Sequence, residues 1–139
     1  MAGIRIPLLP TWVRWVVVAL VAGFVFYASV LSVPPETAVD TFRPRLLPLD
    51  KWRHIVAYAA LAGALVYASA DWDAGRWRLA VAVVAITVCY GVSIEAGQAL
   101  LPQRYFSLGD AYANALGSLV VVPWAALRPR LELVAVPER

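Results

Sequence analysis

Apolar residues fall in four blocks along the chain. Trp15 to Val33 runs 19 residues without a charge, Ile55 to Ala70 runs 16, Leu79 to Ile94 runs 16 and Ala111 to Leu127 runs 17. Breakers or charges close each block: Pro34-Pro35, then Asp71-Trp72-Asp73-Ala74-Gly75, then Pro102, then Pro129. A hydrocarbon core of about 30 Å takes roughly 20 helical residues, so the two shorter runs span it only with their flanks. Those flanks carry Trp12, Trp15, Trp52, Trp72, Trp77 and Trp124, whose amphipathic rings favour the headgroup region. The pattern predicts an all-α fold: a polytopic membrane protein, a bundle of four transmembrane helices at about 12–33, 53–70, 77–101 and 110–127, forming one domain over 1–139. The first block exceeds the usual apolar core of a signal peptide and is read as a permanent helix.

Composition sharpens this picture. With 62% hydrophobic and 15% charged residues and a mean hydropathy of +0.71, the chain lies far from the soluble average of about a quarter charged, which argues against a water-soluble enzyme. The net charge of +3 comes from scattered arginines with no basic stripe, so nucleic acid is not expected as a partner and the lipid bilayer is. With four crossings, the N-terminus, second loop and tail hold seven Lys and Arg against five in the first and third loops. That bias puts both termini in the cytoplasm of a plasma-membrane protein. The one cysteine, Cys89, reads as a small packing residue. Ala60, Ala64 and Ala68 on helix 2, and Ala113 with Gly117 on helix 4, offer small faces for close helix approach, unless alanine is simply abundant.

Polar residues gather at particular helix ends. Asp50, Lys51, His54 and Tyr58 start helix 2; Glu95 and Gln98 end helix 3; Arg104, Ser107, Asp110 and Asn114 lead into helix 4. Alternating crossings bring these three ends to one side of the membrane, the non-cytoplasmic one in this orientation. Spacings of three and four residues put each set on one helical face. Glu95 is the costliest, about six residues below a helix end at Leu101, and an intramembrane carboxylate suggests either a functional pocket or a structural ion pair with Lys51, His54 or Arg104. Asp110 reads equally as a helix N-cap, and His54 as a hydrogen-bonded structural residue. The loop of about 20 residues from Pro34 to Arg53, with four prolines, is long enough to cover something.

Taken together, Asp50-Lys51-x-x-His54-x-x-x-Tyr58, Glu95-x-x-Gln98 and Arg104-x-x-Ser107-x-x-Asp110-x-x-x-Asn114-x-x-Gly117 resemble the VanZ-like family over about residues 15 to 127. Pro102-Gln103 stands where that family often has Pro-Gly. The resemblance implies a small integral membrane protein of the cell envelope, in a family associated with resistance to the glycopeptide teicoplanin. Its motif positions here are Asp50, Lys51, His54, Glu95, Gln98, Arg104, Asp110 and Asn114, a ligand-binding set for an envelope lipid headgroup, a lipid-linked precursor or a partner. The alternative is a membrane-embedded enzyme on a lipid-linked substrate, with His54, Glu95 and Asp110 as acid/base candidates and Arg104 stabilising negative charge. No cofactor is expected. No His-x-x-x-His or paired-carboxylate spacing supports a metal held by His54, Glu95 and Asp110. A transport role would require four short helices to oligomerise.

Overall fold

The computed structural model describes residues 3–32, 35–102 and 104–137. Val33, Pro34 of the expected Pro34-Pro35 break, Gln103 of the Pro102-Gln103 pair and the tail's Arg139 lie outside the described residues.

In chain order the elements are strand β1 (Ile4–Leu8), helix α1 (Thr11–Phe26) continued by a π-helical turn (Tyr27–Leu31), a 3-10 turn (Ala38–Phe42), α2 (Leu49–Ala68), α3 (Arg76–Gln98), α4 (Leu108–Ser118), α5 (Val121–Leu127), a 3-10 turn (Arg128–Arg130) and strand β2 (Leu131–Ala135). The chain is thus mostly helical. The two strands, each with only a short alternation of apolar and polar residues (Ile4-Arg5-Ile6 and Leu131-Glu132-Leu133) that falls outside the four apolar blocks, pair in parallel with Ile4 opposite Leu131 and Leu8 opposite Ala135. An all-α description therefore needs this one amendment, and the pairing ties the two terminal segments to the same end of the bundle.

Two helical stretches among the described residues are long and apolar enough to cross a membrane, Thr11–Leu31 and Arg76–Gln98. α1 turns most of its surface outward: Leu20, Phe24 and Phe26 are exposed, and only 11% of its most apolar window is buried. α2 carries Asp50, Lys51, Arg53 and His54 in its first two turns.

The fourth predicted helix is not continuous. α4 stops at Ser118, and the chain passes through tight i→i−3 bonds, Leu119 N–H to the Leu116 carbonyl and Val120 N–H to that of Gly117, before α5 resumes. Pro123 is the cause. In an unbroken helix its ring would strike the Leu119 carbonyl and it could donate no bond there, whereas in the first turn of a new helix the missing N–H is no loss.

Helix α2 starts four residues earlier than predicted, directly after Pro48, and α3 ends at Gln98 rather than near Leu101, passing into turns. Glu95 therefore sits one turn from the end of its helix, not six residues below it.

The core joins Tyr58, Leu61, Leu65 and Val66 of α2 with Val83 and Ile94 of α3, Val121 of α5 and Val25 of α1. The alanine stripe of α2 packs only toward its end, where Ala68 is fully buried; Ala64 is half-buried and Ala60 exposed. Close approach comes from Gly117 of α4 instead, where a Cβ would stand 2.3 Å from the Ile55 carbonyl oxygen and 3.0 Å from the Ala59 nitrogen. Cys89 is exposed on α3, so it is not a core packing residue.

Hydrogen bonds fix which helix ends lie together. Arg14, near the start of α1, bonds the Ala68 carbonyl at the end of α2, and Arg128 after α5 bonds the Ala70 carbonyl. At the other end, Gln98 of α3 and Arg104 both donate to the Ser29 carbonyl at the end of α1. The starts of α2 and α4 share that second end with the ends of α1 and α3.

Candidate functional site

Residues from three helices and one connection meet at this second end. Lys51, on the first turn of α2, bonds Asp110 on the first turn of α4 and also reaches Asp50 at 2.8 Å. One turn further along α2, His54 Nδ1 lies 2.7 Å from Asn114 Oδ1, and its Nε2 lies 3.8 Å from Asp110 Oδ1. Since Asn114 presents a carbonyl oxygen, Nδ1 donates to it, and Nε2 faces the Asp110 carboxylate. The Tyr58 ring is nearly parallel to that of His54, at 7° with centroids 6.4 Å apart.

Glu95 enters from α3 and is fully buried. Its Oε2 accepts one long bond, 3.4 Å, from the Ser107 backbone N–H, and its Oε1 has no hydrogen-bond partner. Lys51, His54 and Arg104 were its expected partners; none of the hydrogen bonds or ion pairs found for Glu95 among the described residues involves them. Two more buried polar atoms beside the cluster, Tyr58 Oη and Asn114 Nδ2, are also unpartnered. Such groups are rare in folded proteins, and their clustering marks a place whose polarity the fold itself does not require.

Helix approach makes the cluster possible. A Cβ on Gly91 of α3 would lie 2.9 Å from Asn114 Nδ2 and 3.0 Å from Tyr58 Cε1, so only glycine lets both side chains lie against α3. The N-cap of α4 is Ser107, whose Oγ accepts the Asp110 N–H at 3.1 Å. Asp110 is therefore not the cap. With that duty taken by Ser107, its carboxylate is turned to Lys51 and His54.

Arg104 and Gln98 stand beside the cluster and share one acceptor, the Ser29 carbonyl, at 2.7 and 2.6 Å. A cation and an amide on the last carbonyls of a helix satisfy groups that the helix cannot. Asp50 is at the rim, its side chain 61% exposed.

These residues edge a cleft of about 1080 Å³. One wall is the apolar face of α1 with Leu20, Val21 and Phe24, the opposite wall is α2 with Val56, Ala57 and Ala60, and His54, Gln98, Arg104 and Asp110 stand at one end. Lys51, Glu95 and Asn114 lie behind that end and do not line the cleft. The long first connection closes one side: Asp40 of its 3-10 turn is paired with Arg53 at 3.0 Å, and the Trp52 indole donates to the Val39 carbonyl. The bond from Arg53, reinforced by the Thr37 amide, holds the Asp40 carboxyl below the usual carboxylate range.

Of the residues singled out from sequence, Lys51, His54, Glu95, Asp110 and Asn114 form one cluster, Gln98 and Arg104 flank it, and Asp50 is peripheral. Two contributors were missed, the Ser29 carbonyl and the Ser107 amide. Both act through backbone atoms, which a sequence does not label. Comparisons with known proteins add no name to this geometry: no protein-family model, no curated protein and no solved structure matches the chain.

Proposed function

We propose that the protein is a multi-pass plasma-membrane protein of the VanZ-like kind, which binds an envelope lipid or lipid-linked precursor by its headgroup. The observation that carries this reading is the cleft, apolar along Leu20, Val21 and Phe24 of α1 and Val56, Ala57 and Ala60 of α2, with its polar lining on the start of α2, the first connection and the Gln98, Arg104 and Asp110 end. An acyl or polyprenyl chain lies between the two helices, and its anionic headgroup meets Arg104 and His54. Arg104 suits that role because its planar guanidinium has several donors, of which one is used on the Ser29 carbonyl.

The outward apolar surface of α1 supports the membrane setting, since a monomer in water rarely exposes patches beyond a few hundred Å². α4 and α5 together complete the fourth crossing. The pairing of β1 with β2 supports an even number of crossings, and the positive-charge bias then puts the termini in the cytoplasm and the cleft's polar end outside. Teicoplanin resistance follows only where the bound lipid is a cell-wall precursor.

The test is mass spectrometry of lipids retained by the purified protein, comparing wild type with Arg104→Ala and with Ala60→Trp, which fills the cleft. Retention of one lipid class by wild type and its loss in both variants supports the proposal; identical lipid content in all three sinks it. A second reading, acid/base catalysis on the same lipid by His54 with Glu95 or Asp110, draws support from the unpartnered Glu95 oxygen. It predicts turnover of the retained lipid that Glu95→Gln abolishes while retention survives.

A further inference from the structure

We infer that His54, Glu95 and Asp110 form a binding site for a divalent first-row transition cation, held between α2, α3 and α4. One donor atom of each residue lies within 4.8 Å of the others. Metal–ligand bonds of roughly 2.0–2.2 Å require the three donors to draw in by about an ångström, within the reach of side-chain rotation. This reverses the expectation from spacing alone. The three ligands come from three helices, so no short motif could announce them.

Three further observations point to a cation. Glu95 is 0% exposed, yet its Oε1 has no partner, an arrangement that leaves one lone-pair face of a buried carboxylate unused. His54 is oriented as metal-bound imidazoles are: Nδ1 donates to a second-layer oxygen, Asn114 Oδ1 at 2.7 Å, and Nε2 faces the Asp110 carboxylate 3.8 Å away. The charge also balances, since the three carboxylates Asp50, Glu95 and Asp110 exceed the one lysine, Lys51, by two negative charges, which a divalent ion offsets. One imidazole with two carboxylates suits Zn²⁺ or Mn²⁺ better than Ca²⁺ or Mg²⁺, which favour all-oxygen sets. Three protein ligands leave coordination positions open. His54 and Asp110 also line the cleft, so those positions are accessible to a phosphate oxygen. This last placement rests on the lipid reading; ion binding itself does not.

The test is calorimetric titration of the purified protein, in zwitterionic detergent free of chelator, with Zn²⁺ alone. Wild type is expected to bind one Zn²⁺ per chain. Glu95→Gln and His54→Ala lose the binding, Asn114→Ala weakens it about 10- to 100-fold by freeing the imidazole, and Lys51→Met, which removes a competing charge, tightens it about tenfold. Absence of Zn²⁺ binding by monodisperse wild type, or equal binding by Glu95→Gln, overturns the inference. Because a misfolded variant also loses zinc, Co²⁺ is added to wild type as well. Visible d–d bands several-fold more intense than those of aqueous Co²⁺, as four- or five-coordinate Co²⁺ gives, support the site, and a spectrum of aqueous Co²⁺ overturns it. Lipid retention by a protein silent to both ions sinks the metal site alone, whereas ion binding without lipid sinks only the lipid reading.

Discussion

The two ends of this bundle handle buried charge in opposite ways. At one end Arg14, 2% exposed, engages both terminal nitrogens, and its Nε alone is buried without a partner. Nη1 donates to Asp71 Oδ1 at 2.9 Å and the Ala68 carbonyl at 2.7 Å, while Nη2 donates to Asp71 Oδ2 at 2.7 Å and Thr11 Oγ1 at 2.9 Å. One side chain thus pins the start of α1 to the end of α2 through a two-pronged ion pair. At the other end Glu95, 0% exposed, has a single long bond, and Tyr58 and Asn114 beside it also lack partners. Charge at the first end holds the fold together. Charge at the second is a burden on the fold, which is the expected signature of a group kept for a ligand.

If that contrast is correct, substitutions at the two ends have opposite signs. Arg14→Ala is the most damaging: it strands the Ala68 carbonyl and Asp71 and is expected to destabilise the protein by about 3 kcal/mol in detergent unfolding. Next in size is Gly117→Ala, whose Cβ at 2.3 Å from the Ile55 carbonyl oxygen forces α2 and α4 apart, at about 2 kcal/mol. Because it also carries Asn114 away from His54, it should lower Zn²⁺ affinity, whereas Arg14→Ala should leave the affinity of the folded fraction unchanged. Glu95→Leu goes the other way, stabilising the fold by about 1 kcal/mol while abolishing Zn²⁺ binding, since an apolar residue often replaces a poorly paired buried ion at no loss. Loss of stability on Glu95→Leu equal to that of Arg14→Ala would show that both ends are structural.

The same two ends differ in how well the sequence reveals them. Spacing along α2, α3 and α4 brought Lys51, His54, Glu95, Asp110 and Asn114 out as polar stripes, because a helix repeats its face every three to four residues and an apolar block makes each polar residue conspicuous. The Arg14 pair was not legible. Asp71 is 57 residues away, and Arg14, one charge before a long apolar run, reads as an interfacial flank. The helix break at Leu119-Val120 was readable in Pro123 but was hidden by the apolar run around it. The parallel pairing of β1 with β2 joins two short alternating segments at opposite ends of the chain, and local alternation does not say with what a strand pairs. Glycines posed a further limit: the small face of Ala113 and Gly117 was legible as a place of close approach, but that at Gly91 depends on Tyr58 and Asn114 of neighbouring helices, which sequence spacing does not supply.

The smallest expected effect concerns acid, and it is seen at the Arg14 end. The bond from Arg14 is the main cause holding the Asp71 carboxyl below its ordinary value, partly opposed by burial. A depressed folded-state value adds stability that is complete above the unfolded carboxylate value and is lost as the pH falls through the folded one. Asp71 is 40% exposed, so solvent screens the pair and its titration contributes less than about 1 kcal/mol. The unfolding midpoint of wild type should therefore fall as the pH drops below about 4, and Asp71→Asn should be less stable at neutral pH yet show a shallower acid limb. Asp40 behaves in the same sense through Arg53, so the Asp71→Asn limb flattens without vanishing, and a double Asp40→Asn, Asp71→Asn protein flattens further. An acid limb unchanged in Asp71→Asn would mean that Arg14 is held by the Ala68 carbonyl and Thr11 alone, and the ion pair would then lose its part in distinguishing the two ends.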